Sequence, residues 1–399
     1  MNPGTDSWVG VLGGGQLGRM LALDARRMGF QVLKWTGGDR SGAAYTADLV
    51  FEEPFDSLDT LERFVDRIDV ATVEFENVPA SLLDKVAQRV PLMPAARAIG
   101  ICQHREREKN FLATSGIPCA HFEVIDDPTA LPEALARLPG DGILKTAEFG
   151  YDGKGQRHVQ KNASPEDLQG IWNSLGAPRT VLEERVDLEA ELSVMVVRGK
   201  DGAIVTYDPA ENHHQNHILD LSIIPARLPH TLLAQAREIA ITVAEALAYV
   251  GVLGVEFFVD KNHRILVNEM APRPHNSGHH TINACATSQF EQQLRAITGM
   301  PLGSPRLIQP AVMWNLLGDL WLDEEVPPNW SPILATPGAS LHLYGKKQAR
   351  PGRKMGHATF VAATLEEALS NANRCRLAYG WDRDSNETQT TLAENASTH

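Results

Sequence analysis

An apolar strand followed by a glycine-rich turn and a helix opens the chain, and this order constrains the fold of its first part. Residues 8–19 read WVGVLGGGQLGR, in which Gly13, Gly15 and Gly18 fit the pattern G-x-G-x-x-G. Two further strand-like segments, QVLKW and VATVEFENV, follow between helical segments. Strands and helices that alternate in this way predict a doubly wound sheet of parallel strands, which we place in residues 1–100.

The same glycine turn occurs in NAD-binding domains, but this sequence lacks the residue that would hold the ribose. An NAD site needs an acidic side chain at the end of the second strand. Here Trp35 and Thr36 occupy that place, and Asp39 follows only after two glycines. The turn still offers backbone N–H groups at a helix N-terminus, which favours an anion. We therefore expect a phosphate of another ligand at this turn, or a tight turn without a ligand.

Composition and charge narrow the class of protein. The chain has 399 residues, of which 43% are hydrophobic and 22% are charged, which is typical of a globular enzyme. Its net charge of −13 disfavours binding to nucleic acid or to an anionic membrane surface. Cys102, Cys119, Cys285 and Cys375 are scattered, which favours reduced thiols over disulfides or a zinc site. With neither a secretory signal pattern nor an uninterrupted apolar span in the sequence, we expect a cytoplasmic protein.

Pro91 and Pro94 suggest a boundary that a charged helix follows, and from about residue 140 the character of the sequence changes. We assign residues 101–305 to a second region, rich in short strands joined by Gly, Asp and Asn turns and expected to be antiparallel. A small β-rich domain is expected at 306–381. The tail, 382–399, is poor in apolar residues and is expected to be disordered.

A lysine and a glycine-rich loop stand together in ILKTAEFGYDGKGQRHV. Lys145 is predicted on a strand, and the loop of residues 150–156 joins it to another strand. Backbone N–H groups of such a loop can lie over phosphates while the lysines add positive charge. The loop is not a Walker A motif, because the G-K-[ST] ending and the following helix are absent. An ordinary β-turn with a solvated lysine is the alternative.

A pair of acids is predicted in the hairpin VEFFVDKNHRILVNEM. If the hairpin is symmetric about Asn262 and His263, Glu256 lies directly opposite Glu269 on the same face. Two carboxylates about 5 Å apart repel by roughly 3 kcal/mol at an effective dielectric constant near 20. A divalent cation with oxygen ligands, Mg²⁺ or Mn²⁺, would relieve this repulsion. The alternatives are a shifted register, or a proton shared between the two acids.

Polar side chains crowd the segment APRPHNSGHHT directly after the second acid. Arg273 could stabilise negative charge that develops on a transferring group, or could simply pair with a nearby acid. Asn276 stands between His275 and His279. The two histidines could suggest zinc, but carboxylates dominate the site and disfavour that metal.

A basic run, YGKKQARPGRKMGH, is the fourth element. It places five positive charges within nine residues, namely Lys346, Lys347, Arg350, Arg353 and Lys354. Tight turns at Pro351–Gly352 and Gly356 favour a shaped site for an anion such as phosphate. A solvated basic face is the alternative.

These four elements, in this order, resemble the ATP-grasp superfamily. The resemblance is most specific to the 5-(carboxyamino)imidazole ribonucleotide synthases of bacterial purine biosynthesis. It is carried by GGGQLGRML, TVEFENV, EKNFLATSGIP, FGYDGKGQ, VNEMAPRPHNSGHHT and RPGRKMGH, which span roughly residues 8–360. It implies α/β and α+β architecture: an N-terminal pre-ATP-grasp domain with the parallel sheet, ATP-grasp subdomains with a lid at about 115–186, and the small C-terminal domain.

The resemblance also implies a reaction. ATP would phosphorylate bicarbonate to carboxyphosphate, and the amine of 5-aminoimidazole ribonucleotide would capture the carboxyl group. The products would be 5-(carboxyamino)imidazole ribonucleotide, ADP and phosphate, in de novo purine biosynthesis. The enzyme would use Mg²⁺ or Mn²⁺ and would be a homodimer, as is common in this family.

The resemblance assigns roles to individual residues. The implied ATP site comprises Arg105, Lys145, Gly150, Tyr151, Asp152, Gly153, Lys154, Gly155, Gln156, Glu183, Glu184, Arg185, Val186, Glu191, His214, Asn268 and Glu269. The implied ribonucleotide site comprises Gln16, Leu17, Glu76, Asp152, Arg273, His275, Asn276, Lys346 and Arg353. Arg273, Lys346 and Asp152 are the implied catalytic residues, and Glu256 and Glu269 the metal ligands. Whether Lys346 or Lys347 contacts the substrate stays open.

Two positions depart from the family's pattern, and other functions remain to be weighed. Ala271 stands where many relatives carry an Asn near the metal, and His104 where an Asp is expected. Another ATP-grasp ligase, such as a formate-dependent glycinamide ribonucleotide transformylase, is the alternative from the same class. An NAD-dependent dehydrogenase and a non-catalytic nucleotide sensor are alternatives from other classes, and the intact pair of Glu256 and Glu269 disfavours the sensor.

Overall fold

The N-terminal region forms a parallel sheet in the order β3-β2-β1-β4. The computed structural model describes residues 6–39, 41, 45–148, 155–176, 179–321, 323 and 326–381. The strands of this sheet are β1 (Trp8–Leu12), β2 (Gln31–Trp35), β3 (Leu49–Phe51) and β4 (Val70–Val73). The helices between and after them are α1 (Gln16–Arg27), α2 (Leu58–Val65), α3 (Ala80–Ala87) and α4 (Ala96–Cys102). The predicted parallel, alternating fold is confirmed.

Both faces of this sheet are buried, as parallel sheets require. Val9 and Val11 face one apolar cluster, which includes Leu21 of α1. Trp8 and Leu12 belong to a second cluster on the other face. The first cluster also contains residues of a helix from the following region, so the glycine turn is fixed against the rest of the molecule.

A four-stranded antiparallel sheet, in the order β5-β8-β6-β7, makes up the region predicted as the lid. Its strands are β5 (Phe122–Ile125), β6 (Gly142–Thr146), β7 (Gln156–Val159) and β8 (Thr180–Glu184). α5 (Arg105–Thr114) precedes it, and α6 (Leu131–Arg137) and α7 (Pro165–Leu175) pack on it. Lys145 pairs with Gln156, so the glycine-rich loop is the connection between β6 and β7.

The largest sheet has nine strands and joins the second region to the third. Its order is β14-β13-β9-β11-β12-β15-β17-β16, with β10 on β9. The strands are β9 (Leu188–Arg198), β10 (Ile204–Thr206), β11 (Ala210–Gln215), β12 (Ile218–Ile224), β13 (Gly251–Asp260), β14 (Ile265–Ala271), β15 (Ala311–Leu317), β16 (Ala339–Leu343) and β17 (Lys354–Val361). The associated helices are α8 (His230–Ala246), α9 (Thr281–Ala284), α10 (Gln289–Thr298), α11 (Ser331–Leu334) and α12 (Leu365–Ala378).

The strands of the predicted small C-terminal domain continue this sheet. The pairing of β12 with β15 makes the connection. Sequence analysis missed β11 and β12, because their turn at Asn216 and His217 carries no glycine although both residues have positive φ. The tail, 382–399, lies outside the described residues. Among the described helices, each is too short or too polar to cross a membrane.

Substitution of Gly13 tests whether the first turn tolerates a side chain next to Glu74. Its φ is +122°, and a Cβ added there would lie 2.4 Å from Cγ of Glu74. Gly29, just beyond the other end of α1, also has positive φ (+88°) but nothing within 4 Å of an added Cβ. We expect Gly13→Ala to lower the free energy of unfolding by about 3 kcal/mol and Gly29→Ala by about 1 kcal/mol. Urea titration followed by tryptophan fluorescence measures both, and equal losses would contradict the close packing against Glu74.

Candidate active site

Two acids face each other across the β13–β14 hairpin. Glu256 pairs directly with Glu269, which confirms the predicted pairing of the acids, although an irregularity between Glu256 and Phe257 shifts the register of the rest of the hairpin by one residue. One ligand atom from each, and one from His275, lie within 4.8 Å of one another. Burial and the charge of Glu269 raise the pKa of Glu256 to about 8. The pair therefore retains a proton at neutral pH unless a cation replaces it, and its oxygen donors fit Mg²⁺ or Mn²⁺.

A second cluster holds cations around one buried carboxylate, that of Glu183. Lys145 Nζ lies 3.0 Å and Lys109 Nζ 3.1 Å from its Oε2, and Arg105 Nη1 lies 3.7 Å from its Oε1. Burial alone would raise the pKa of Glu183, but these charges outweigh it and hold the pKa well below its usual range. Burial lowers the pKa of Lys145 to about 8 despite the carboxylate. The cluster places Lys145 and Arg105 side by side between the lid sheet and α5.

A cavity of about 610 Å³ opens beside this cluster. The residues that line it include Lys145, Gln156, Glu183, Glu184, Arg185, Val186, Leu188 and Phe258. The segment 183–186, part of the implied ATP site, therefore borders a space between the lid sheet and β13. Gly155 accepts a backbone hydrogen bond from Thr146, which closes the base of the β6–β7 loop. The other predicted loop residues, Gly150, Tyr151, Asp152, Gly153 and Lys154, lie outside the described residues.

A second cavity, of about 350 Å³, lies between the N-terminal region and the acid pair. Six of the residues predicted to bind the ribonucleotide line it: Gln16, Leu17, Glu76, Arg273, His275 and Asn276. Arg105 and Glu269 line it too, which connects it to the nucleotide side. Residues far apart in the sequence thus converge on one small polar space.

Arg273 is paired with Glu76 across this cavity. Its Nε and Nη2 lie 2.6 Å and 3.2 Å from the two carboxylate oxygens, a bidentate arrangement. Burial raises the pKa of Glu76, but the Arg273 charge and hydrogen bond lower it below its ordinary value. The alternative considered for Arg273, a pair with a nearby acid, is thus realised. The pair also fixes the guanidinium at the cavity wall, between the first and second regions.

The glycine turn is occupied by a side chain of the protein itself. The carboxylate of Glu74 accepts hydrogen bonds from the backbone N–H groups of Gly15 (2.6 Å) and Gly18 (2.9 Å). A dinucleotide's pyrophosphate would need this helix N-terminus and would meet a buried acid there. The position of Glu74 therefore supports the argument against NAD. Gln16 and Leu17, at the start of α1, border the cavity of about 350 Å³.

The basic run reaches the cavity through Lys354. Lys346 donates from Nζ to the backbone oxygen of Lys354 (2.7 Å), and burial lowers its pKa to about 8. Arg353 donates to the backbone oxygen of Gln348 (2.6 Å). The roles of Lys346 and Arg353 as substrate contacts stay predictions.

Three remaining predicted ATP contacts lie near the hairpin. Nδ1 of His214 on β11 lies 3.1 Å from Oε1 of Glu191 on the neighbouring β9. Burial lowers the pKa of His214, but the adjacent Glu191 carboxylate raises it above its ordinary value. The backbone oxygen of Asn268 accepts from Lys109 Nζ at 3.0 Å. Their contacts with ATP stay predictions.

Sequence analysis missed the inward face of α5. Glu108 accepts a hydrogen bond from the backbone N–H of Met270, the residue after Glu269, at 2.6 Å. Burial raises its pKa to about 8. Lys109 is fully buried beside it. The sequence carries a signal for this face, namely the helical spacing of Arg105, Glu108, Lys109 and Leu112. Residues at this spacing share one face of a helix, and Leu112 as an apolar residue is expected to bury it.

The chain matches three domain families in succession. Residues 7–103 match the ribonucleotide synthetase preATP-grasp domain, 110–290 the ATP-grasp domain, and 311–371 the phosphoribosylaminoimidazole carboxylase C-terminal domain. The N5-carboxyaminoimidazole ribonucleotide synthase of Brucella melitensis is 44% identical over 363 residues, which is 90% of this chain and 97% of that protein. The chain belongs to the N5-carboxyaminoimidazole ribonucleotide synthase family.

Solved structures support the same assignment. The crystal structure of an ADP complex of N5-carboxyaminoimidazole ribonucleotide synthetase has a TM-score of 0.86 at 36% identity, covering 97% of this chain and 99% of that one. The Aspergillus clavatus synthase in complex with ADP and 5-aminoimidazole ribonucleotide has a TM-score of 0.83 at 32% identity, covering 94% and 99%. The enzyme is an ATP-dependent ligase of purine biosynthesis that carboxylates 5-aminoimidazole ribonucleotide.

The Glu183 cluster predicts a large effect on stability. Glu183→Gln leaves the fully buried Lys109 without its carboxylate, so we expect a loss of about 3–5 kcal/mol in the free energy of unfolding. Glu62→Gln, which removes the exposed partner of Arg89, is the matched control and should change little. Urea titration compares the two variants. Similar small losses in both would show that the buried cluster is not held by Glu183.

Proposed function

We propose that the enzyme uses bicarbonate as the carboxyl donor and forms carboxyphosphate before the ribonucleotide amine is carboxylated. The observation that carries this proposal is the arrangement of the two cavities. The first cavity borders the lid sheet, and the second borders the glycine turn. Arg105 lies between them, because it lines the second cavity and contacts Glu183, which lines the first. A phosphoryl group could thus pass from ATP in one cavity to a small anion in the other.

On the ATP side, the chain's own residues bind and orient the nucleotide. The segment 183–186 would border the adenine, and Lys145 would neutralise phosphate oxygens from its fixed place beside Glu183. Phosphoryl transfer depends on positioning and charge neutralisation more than on a protein nucleophile. The buried cations of this cluster supply both.

The carboxylates of Glu256 and Glu269 would hold the divalent cation. When bound, Mg²⁺ or Mn²⁺ would neutralise phosphate oxygens of ATP in the site. Glu108 supports this end of the site, since its hydrogen bond to Met270 N–H fixes the backbone next to Glu269.

On the ribonucleotide side, Arg273 would stabilise negative charge on the carboxylated intermediate. The bidentate pair with Glu76 holds its guanidinium in one orientation before substrate arrives, so little reorganisation is needed. Gln16 and Leu17 would present backbone N–H groups to the ribonucleotide phosphate, and Lys354 adds positive charge at the same cavity. Lys346 and Asp152 complete the proposed catalytic set.

We further propose a cytoplasmic homodimer, as the family resemblance suggests. All four cysteines are free thiols, a state that a reducing compartment maintains. A formate-dependent transformylase is disfavoured, because residues 311–371 match the carboxylase C-terminal domain.

The overall reaction is tested by omission. ADP release, followed in a coupled assay, should require ATP, bicarbonate and 5-aminoimidazole ribonucleotide together. Release that needs formate, or that ignores the ribonucleotide, would contradict the proposal.

Removing one electrostatic contact should slow turnover strongly. We expect Arg273→Ala or Lys145→Ala to lower kcat by about 10²–10³-fold, the usual scale for one transition-state stabiliser. Arg89→Ala, at an exposed ion pair, is the control and should leave kcat unchanged. A loss of tenfold or less in steady-state assays would argue against these roles.

Cation binding should depend on pH with a known sign. Glu256, with its pKa near 8, is protonated at lower pH and must lose that proton to bind a cation. Mn²⁺ affinity should therefore rise by up to about tenfold per pH unit below pH 8 and level off above it. Calorimetric titrations in buffers of different ionisation enthalpy count the released protons. Affinity that is independent of pH over this range would contradict the assignment.

A further inference from the structure

A line of buried hydrogen bonds runs from inside the large sheet to the ring of His275. Ser222 Oγ donates to Asn212 Oδ1 (2.8 Å), and Asn212 Nδ2 donates to Ser193 Oγ (2.9 Å). Ser193 Oγ donates to Ser277 Oγ (2.8 Å), and Ser277 Oγ lies 2.9 Å from His275 Nδ1. We call these four residues, Ser222, Asn212, Ser193 and Ser277, the relay. Each is at most 5% exposed, so water cannot easily replace its partners.

Counting protons fixes the direction of the last bond. Ser277 Oγ already accepts from Ser193, and its own proton has one available acceptor among the described residues, His275 Nδ1. If Nδ1 carried a proton instead, Ser277 would keep a buried hydroxyl proton without an acceptor. An unmade hydrogen bond of this kind costs about 1–3 kcal/mol.

Every hydrogen bond of the relay could have the opposite donor and acceptor only if the side-chain amide of Asn212 were rotated by 180°. The surroundings of Ser222 and of His275, at the two ends, argue against this. In the reversed direction, Ser222 would have to donate elsewhere, yet the described residues offer its hydroxyl no partner besides Asn212. At the other end, once Glu256 is ionised, the bare Nε2 of His275 would face its Oε1 at 3.5 Å, two lone pairs together. The forward direction instead turns an Nε2–H toward that carboxylate.

We propose that the relay holds the His275 imidazole as the tautomer with its proton on Nε2, so that this residue donates a hydrogen bond into the active site. Ser222, Asn212, Ser193 and Ser277 are then positioning residues, which act on the substrate only through His275. An Nε2–H cannot bind a metal ion, so the cation is left to Glu256 and Glu269. His275 is thereby assigned to a substrate oxygen, such as one of bicarbonate, which rests on the proposed function.

The tautomer can be observed directly and without turnover. The full-length enzyme, labelled with ¹⁵N-histidine, is studied by NMR at about pH 8, well above the ordinary histidine pKa of about 6.5. The chain has 14 histidines, and the signal of His275 is identified by its loss in His275→Gln. We expect a proton on Nε2 and none on Nδ1. A proton on Nδ1 in the wild-type enzyme would overturn the proposal whatever the enzyme's activity.

Asn212→Asp tests the role of the relay. An ionised aspartate accepts from both serines, so each bond from Ser193 to His275 reverses and the proton moves to Nδ1. We expect the ¹⁵N signals of His275 to show the proton on Nδ1 and none on Nε2. We also expect kcat to fall by about 10–100-fold with KM for ATP nearly unchanged. Asn315→Asp, at a buried amide of the same sheet that bonds to Leu219, is the matched control and should leave the tautomer as in the wild type.

The possible outcomes distinguish control of the tautomer by the relay from donation of a hydrogen bond by His275 to the substrate. An unchanged Nε2–H in Asn212→Asp at a pH at which the introduced carboxyl group is ionised, or the same change in Asn315→Asp, would overturn the relay. A switched tautomer with unchanged kcat would support the relay but contradict donation by His275 to the substrate, and the proposed role of that residue would fail. If Asn212→Asp does not fold, the wild-type spectrum still decides the tautomer.

Discussion

Two carboxylates face each other across the β13–β14 hairpin, and the rest of the site is organised around their repulsion. The strand register places Glu256 against Glu269, and directly paired residues project from the same face of the sheet. Without a positive partner, one of them must keep a proton, as the pKa of about 8 for Glu256 indicates. A site of this kind favours a cation, and a cation with two carboxylates favours phosphate oxygens as its further ligands.

Buried charges elsewhere in the site are balanced in pairs and clusters, which explains how so many can be accommodated. Glu183 binds Lys109 and Lys145, and Glu76 binds Arg273. Each contact joins elements that are distant in the sequence: the first cluster joins α5 to the lid sheet, and the second pair joins the N-terminal region to the loop after β14. The charges that are proposed to act on substrate thus also join the lid sheet to α5 and the first region to the second around the two cavities.

Much of this could be predicted from the sequence, because the informative patterns are local. The alternation of strands and helices predicted the first sheet, and the hairpin pattern predicted the acid pair, although a register shift between Glu256 and Phe257 was not foreseen. Contacts between distant residues could not be predicted: Glu74 in the glycine turn and Lys354 at the cavity both depend on how the sheets pack. The inward face of α5, with Glu108 and Lys109, was missed although its helical spacing is visible in the sequence. The union of the C-terminal strands with the central sheet was not predicted for a local reason: the β11–β12 turn at Asn216 and His217 lacks a glycine signal, so the strand that makes the connection was missed.

The central claim is that the acid pair holds a divalent cation next to the nucleotide. Anomalous diffraction from crystals grown with ADP and Mn²⁺ tests it most directly. The account predicts one anomalous peak at about 2.0–2.2 Å from an oxygen of Glu256 and of Glu269, next to the ADP phosphates and without a bond to Nε2 of His275. ADP at full occupancy without manganese at Glu256 and Glu269, or with manganese bound by other residues, would contradict the account.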